Sequence, residues 1–179
     1  MKDYFWRSKA RNIIGWIVEL VAVVLLAFVC TYAFGQRVIA VDTSMEPTLA
    51  VGDKALLNTA VKAFGSLERG DVVAYRTSND VNASIQIRRI IGLPGETVQI
   101  RSGQIFIDGE LYLEQRDFPP ISNPGLAESE ITLGGTEYFV LGDSRNNSED
   151  SRHVDVGNVD KEQILGRLWL KTDPMTRIR

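Results

Sequence analysis

Apolar positions follow two different rhythms along this chain. From Ile13 to Phe34 nearly every side chain is apolar, carried by Ile13, Ile14, Trp16, Ile17, Val18 and the unbroken run Leu20 to Val29, and Glu19 is the single charged group. At about 1.5 Å per residue, such a stretch reaches about 33 Å as a helix, which matches a hydrocarbon core about 30 Å thick. It also exceeds the apolar region of a cleavable signal, about 7 to 15 residues. The pattern therefore predicts an uncleaved transmembrane helix over residues 13–35. A buried helix of a soluble domain is the alternative, and the roughly 140 residues that follow are too few to wrap all its faces. Trp6 and Trp16 on one side and Tyr32 and Phe34 on the other fall where interfacial aromatics belong. Glu19 lies two turns inside the span, where a carboxylate is protonated, reaches toward Arg11 or faces a partner helix.

Beyond Gly35 the runs become short and rich in Val, Ile and Tyr. Val38–Val41, Lys54–Asn58, Asp71–Arg76, Ser84–Ile91 and Glu137–Leu141 read as strands. Between Gln99 and Tyr112, Ile100, Ile105 and Ile107 alternate with the turn pairs Ser102-Gly103 and Asp108-Gly109, which predicts two consecutive hairpins. Phe118 to Gly135 holds three prolines and three glycines without periodicity and reads as a surface loop. The fold class expected is mainly β: one N-terminal transmembrane helix followed, over residues 36–179, by a small barrel or packed antiparallel sheets.

Charge adds an orientation. The first eleven residues carry Lys2, Arg7, Lys9 and Arg11 against Asp3, whereas the whole chain has a formal net charge of −3. A basic cluster ahead of the span places residues 1–12 in the cytoplasm and the β domain outside. The β domain is net acidic and has no basic stripe to track phosphates, which excludes nucleic acid as a partner. Cys30 is the only cysteine and His153 the only histidine, so neither a disulfide nor a zinc site is expected. Cys30 reads as a packing residue in the span, and Asn82-Ala83-Ser84 and Asn146-Asn147-Ser148 as accidental glycosylation patterns.

Three polar segments carry candidate chemistry. Ser44-Met45-Glu46-Pro47-Thr48 follows the first strand, Arg88-Arg89-Ile90-Ile91-Gly92-Leu93-Pro94-Gly95-Glu96 ends another, and Gly142 to Arg152 contains no aliphatic side chain. Alone, each also reads as a turn, a solvated strand end or a hydrogen-bonded loop. In this order, behind one membrane span and together with Arg69-Gly70-Asp71-Val72-Val73, they resemble the sequence boxes of the bacterial type I signal peptidases, in the compact single-span form typical of Gram-positive bacteria. The resemblance runs from the anchor to about Leu170. It implies a membrane-bound serine endopeptidase with a Ser-Lys dyad that removes signal peptides from exported preproteins. It implies no cofactor or metal, and partners in signal peptides, the lipid bilayer and the secretion translocon. Residue by residue, Ser44 matches the nucleophile, its backbone N–H helping to bind the oxyanion, and Met45, Pro47 and Thr48 match its surroundings. Ser148 matches a serine that orients the catalytic lysine. Asp150 and Arg152 match a salt-bridge network with Arg89 as third member. The strands before Ser44 and over Ser84–Arg88 would flank an extended substrate, with shallow apolar pockets for small side chains.

Two positions depart from that pattern. Arg88 stands where the family has its general-base lysine, and a guanidinium keeps its proton and offers no acceptor lone pair. Asp42 stands two before the nucleophile, where serine or glycine is common. On a strand it would share a face with Ser44, where its carboxylate either spoils the oxyanion site or acts as a makeshift base. Replacement bases to consider are Lys54, Lys62, Lys161, Lys171 and His153. The sequence thus supports a signal peptidase of reduced turnover or, alternatively, a non-hydrolysing relative that binds peptides or assembles exported proteins such as pilus subunits, or a variant inactivated by replacement of a natural lysine at position 88.

Overall fold

A computed structural model describes residues 2–178 except 79 and 81, with side chains from residue 14 onward apart from 63 and 64. The side chains of Lys2, Asp3, Trp6, Arg7, Lys9 and Arg11 lie outside the described residues, so the basic cluster and the Glu19–Arg11 contact do as well. Helix α1 runs Lys2–Phe34, and its segment Ile14–Phe34 is long and apolar enough to span a membrane. Its side chains, Glu19 and Cys30 included, are exposed in the isolated chain apart from the half-buried Ala33, as expected for a segment whose solvent is lipid.

The remainder is antiparallel β-structure: β1 Gln36–Ile39, β2 Lys54–Asn58, a one-turn helix α2 Val61–Phe64, β3 Val72–Arg76, β4 Ile85–Gly92, β5 Thr97–Arg101, β6 Gln104–Ile107, β7 Glu110–Leu111, β8 Ile131–Thr132, β9 Glu137–Leu141, β10 Val159–Asp160, β11 Ile164–Thr172 and β12 Met175–Arg177. One sheet has the order β1-β2-β11-β3-β4-β9-β10, with β12 added to β11, and a smaller one has the order β7-β6-β5-β8. The helix is tied to the larger sheet where the Thr59 N–H donates to Ala33 O at 2.9 Å, so β1 and β2 leave directly from the end of the span.

The hairpins form where turn chemistry demands. Ser102 and Gly103 have φ of 51° and 77°, and Asp108 and Gly109 have 51° and 81°, the left-handed pairs that suit two-residue hairpins. Three corrections to the sequence reading follow from pairing. The first strand begins at Gln36 and stops at Ile39; Ala40 still donates to Asp53 O (2.9 Å) in the next register position, but its carbonyl accepts from the Gly52 N–H (2.8 Å) and regular pairing ends in the turn before β2. Phe118–Gly135 is not wholly loop: it contains a 3₁₀ turn at Gly125–Glu128 and strand β8, and buries Ile121, Ala127 and Leu133 beneath the smaller sheet. The longest strand, β11, is absent from the predicted set: burial alternates along Ile164–Leu168, but a glycine, Gly166, takes a buried position and the apolar Leu165 and Trp169 take half-buried ones, so hydropathy does not follow it.

Both faces of the larger sheet are covered. Ala40, Met45, Leu49, Leu57, Val72, Ile87 and Leu168 form one core, and Val73, Tyr75, Ile90, Val140 and Ile164 form another on the opposite side of β3 and β4. The smaller sheet packs through Val98, Ile100 and Ile105 onto Ile91, Phe139 and Leu141. Gly92 makes that junction. A Cβ there would stand 2.6 Å from Val98 Cγ2, 2.7 Å from Leu133 Cδ1 and 2.9 Å from Phe139 Cβ, whereas one at Gly135 would meet nothing within 4 Å. Gly92→Ala should lower the stability of the β domain by about 1 to 3 kcal/mol in urea unfolding of the detergent-solubilised chain, while Gly135→Ala should stay within about 0.5 kcal/mol.

Candidate active site

Ser44 does not sit on a strand. The chain from Asp42 to Leu49 is a series of turns, pinned to the core by the fully buried Met45 and Leu49. Asp42 and Ser44 meet through a local turn rather than strand alternation: Asp42 Oδ1 accepts the Ser44 N–H at 3.0 Å. The Ser44 carbonyl accepts the Ser144 N–H at 2.9 Å, which binds this segment to the Gly142–Arg152 loop. Gly142 allows the approach, since a Cβ there would lie 2.4 Å from Ser148 Cβ and 2.7 Å from Ser44 O.

Arg88 is 1% exposed. Its Nε donates to Glu149 O at 2.8 Å and its Nη1 to Ile87 O at 2.7 Å, and Nη1 and Nη2 both face Asp42 Oδ2 at 3.4 Å. The Ile87 contact matters because of the ladder. Ile90 makes its backbone bonds toward the β3 side, donating to Asp71 O at 2.9 Å and accepting from Gly70 N–H at 2.8 Å. By alternation, the N–H and C=O of Ile85 and Ile87 point the other way. There β9 pairs only from Arg89 onward, so Ile85 and Ile87 form an open edge. Arg88 folds back over that edge and occupies the Ile87 carbonyl.

Of the residues singled out from sequence, Asp42, Ser44, Arg88, Ser148 and Arg152 line one cavity of about 450 Å³, with Gln86 and His153. Its wall is polar, in contrast to the shallow apolar pockets expected. Among the described residues no side chain hydrogen-bonds the Ser44 hydroxyl. Ser148 donates instead to Asp150 Oδ2 at 2.6 Å and accepts from Arg152 Nη2 at 3.2 Å. Asp150 and Arg152 form a bidentate pair, with both oxygens 2.8 Å from Arg152 nitrogens. Arg89 stands apart from that pair, which corrects the three-member network: it grips Asp143 through Nε and Nη2 at 2.7 and 2.6 Å and donates to Gly70 O at 2.6 Å. The reason is parity, since Arg88 and Arg89 point to opposite faces of β4. Lys54, Lys62, Lys161 and Lys171 lie away from the cavity; Lys171 pairs with Asp53 at 2.5 Å, and Lys62 reaches Glu162 O at 3.3 Å.

Sequence reasoning did not single out Asp143, Glu114, Tyr75 or Gln86. Asp143 was visible inside Gly142-Asp143-Ser144 as an acid directly after a core strand. Glu114, paired with the buried Arg145, comes from a loop remote in sequence and had no local signal. Arg69 and Glu96, one from each of two motifs, join bidentately at 2.8 and 2.6 Å and fix the turn where Gly95 has φ of 84°. Burial pushes the Tyr75 phenol up to about 12; Arg88 offsets this in part, and Asp150 and Asp42 add to it.

Comparison with known proteins now assigns the chain. It matches the family model for signal peptidase, peptidase S26, over residues 13–171, and the chain belongs to that family. Signal peptidase I S of Bacillus subtilis (strain 168) is 35% identical over 191 residues, covering 96% of this chain and 95% of the relative. Signal peptidase I P of Bacillus subtilis subsp. natto is 32% identical over 183 residues, 97% of this chain and 96% of its own length. A Staphylococcus aureus relative described as inactive signal peptidase IA is 29% identical over 173 residues, 93% of this chain and 95% of its own. A solved signal peptidase I from Enterococcus faecalis V583 aligns with a TM-score of 0.47 and 29% identity, over 57% of this chain and 97% of that one. The family comprises membrane-anchored serine proteases that act on the signal peptides of preproteins.

Burial alone would raise the Asp150 carboxyl, yet the Arg152 hydrogen bonds and charge, the Ser148 hydroxyl and the Gly142 N–H together hold it below the ordinary 3.8. A carboxylate depressed on folding contributes stability that is fully present above its unfolded pKa and lost as pH falls through the folded one. The β domain should therefore hold its urea midpoint down to about pH 3.8 and lose it below. Asp150→Asn should remove Asp150's share of that acid loss and cost about 3 kcal/mol at pH 7, because Arg152 is left buried without its counter-ion.

Proposed function

We propose that this chain is a non-hydrolysing member of the signal peptidase family, which holds an extended segment of an exported polypeptide beside the membrane without cutting it. The observation that carries the reading is the closed hydrogen-bond circuit Arg88–Asp42–Ser44. Hydrolysis at Ser44 needs an acceptor for the hydroxyl proton, a free N–H where the carbonyl oxygen becomes an oxyanion, and an open edge to align the substrate. Arg88 stands in the base position with no lone pair to offer, Asp42 caps the Ser44 N–H with a negative charge, and the Arg88 Nη1 takes the Ile87 carbonyl. All three requirements are spent on one another.

What remains is the geometry of a binder. Ile85 keeps a free strand edge, a polar cavity adjoins it, and both belong to the domain that follows directly on the apolar helix α1. Strand addition at that edge supplies affinity through main-chain bonds. In this reading α1 is the single-pass anchor, residues 1–12 are cytoplasmic and residues 36–179 form the extracytoplasmic domain. Signal peptides and the exported chains that carry them are the partners, met as they leave the translocon. His153 lines the cavity but reaches no hydrogen bond to Ser44, and it does not supply the absent base.

The two departures from the family pattern form one unit, so they must be reversed together. With preprotein in detergent, the chain as written should show no turnover above that of Ser44→Ala, yet should retain uncut preprotein on a pull-down. Arg88→Lys alone should stay near that background, because Asp42 keeps the ammonium charged and still caps the Ser44 N–H. Arg88→Lys with Asp42→Ser should gain at least about 10²-fold over the single variant. Turnover by the unaltered chain that disappears in Ser44→Ala would overturn the proposal.

A further inference from the structure

A second cavity, of about 580 Å³, lies on the other side of β4 from Ser44: Arg89 lines it, where Arg88 lines the first. Five arginines and no lysine face it, and they come from five separate stretches of chain: Arg69 before β3, Arg89 in β4, Arg116 after β7, Arg167 in β11 and Arg177 in β12. Two are held inside the fold, Arg89 by Asp143 and Gly70 O and Arg69 by Glu96 and Ile91 O. The other three keep free donors that reach solvent. Arg116 is exposed, and its one hydrogen bond among the described residues runs from Nη1 to Thr48 Oγ1 at 2.6 Å. Arg177 is exposed, and its guanidinium has no hydrogen-bond or ion-pair partner among the described residues. Arg167, with its side chain 34% exposed, meets Asp71 through Nη1 alone, at 3.3 Å to each oxygen, which leaves Nε and Nη2 available.

The charges here do not balance. Of the lining carboxylates, Asp71 faces Arg167 and Glu114 pairs with the buried Arg145. Glu68 alone has no cationic partner among the described residues, so it offsets one of the two unpaired guanidiniums and leaves a surplus positive charge. We infer that this cavity binds a phosphate group carrying a small organic substituent, held by Arg116, Arg167 and Arg177. Guanidiniums suit an oxyanion better than ammoniums do, because the planar fork donates two parallel bonds. A carboxylate presents two oxygens in one plane, whereas a phosphate presents its oxygens tetrahedrally and can meet donors arriving from three segments. The volume exceeds that of a bare phosphate several-fold, and the half-buried Trp169 in the wall offers apolar surface to the substituent. No lining residue is shared with the cavity beside Ser44, so this site does not depend on the peptide-binding reading.

The test uses the full chain in dodecyl maltoside micelles, with Trp169, the only tryptophan outside α1, as the fluorescent reporter and titration calorimetry as a second readout. Glycerol 3-phosphate should bind saturably, and acetate at the same ionic strength should not. Arg116→Gln and Arg177→Gln, both at exposed positions, should each weaken binding about ten-fold. Glu68→Gln should tighten it several-fold, and Arg37→Gln, which removes an exposed arginine outside the cavity, should leave it unchanged. The phosphate could come from a soluble ester or a lipid headgroup, and phosphatidic acid added to the micelles separates the two. It raises the apparent Kd for glycerol 3-phosphate if the headgroup reaches the cavity and leaves it unchanged if the ligand is soluble; either result keeps the site. The inference is overturned if neither readout shows saturable binding of glycerol 3-phosphate, if acetate binds as tightly, or if Arg37→Gln weakens binding as much as Arg116→Gln.

Discussion

A guanidinium buried with a single, half-exposed carboxylate governs this site. Arg88 has almost no access to water, so each of its N–H groups must find an acceptor inside the protein, and the acceptors within reach belong to the strand edge, the polar loop and the turn before Ser44. It takes Ile87 O from the strand edge, Glu149 O from the polar loop and Asp42 from the turn ahead of Ser44. Asp42 then has one oxygen on the arginine and one on the Ser44 N–H. The burial of one charge thus explains why Asp42 and the Ser44 N–H are both already engaged.

The fold makes this arrangement local and leaves the surrounding scaffold intact. Arg88 and Arg89 are adjacent but diverge across β4, one to the cavity and one to the Asp143 pair that braces the Gly142–Arg152 loop from behind. The Asp150–Arg152 pair braces the same loop from the other side. Breaking either pair would strand a buried charge, whereas a change at residue 88 reorganises only the groups it touches. The family scaffold therefore accommodates an arginine at position 88 with both of these ion pairs in place.

The span, the strand-rich character of the rest and both two-residue hairpins were legible because each depends on local rules: segment length, alternation, and turn pairs that accept positive φ. Strand β11 was not, since a glycine, Gly166, fills one of its buried positions while Leu165 and Trp169 face partly outward, and its partners β2 and β3 lie about a hundred residues earlier. The proline-rich stretch hid Ile121, Ala127 and Leu133, whose burial depends on a sheet formed elsewhere. At the site, the inability of Arg88 to serve as a base followed from side-chain chemistry alone. That Asp42 is its counter-ion did not, because the sequence suggested strand alternation where the chain in fact turns. Arg89 was grouped with Asp150 and Arg152 on the family resemblance, and its pairing with Asp143 depends on where β4 and the Gly142–Arg152 loop lie in the fold.

The most direct test of the account is site-resolved amide hydrogen exchange at Ser44 in the full chain. If Asp42 and Arg88 hold that N–H in their circuit, it should be protected as written and should lose protection in Asp42→Ala and in Arg88→Ala, with the neighbouring core amides unchanged. An unprotected Ser44 amide in the unaltered chain would mean that the oxyanion donor is free, and the claim that this pair silences the site would be contradicted.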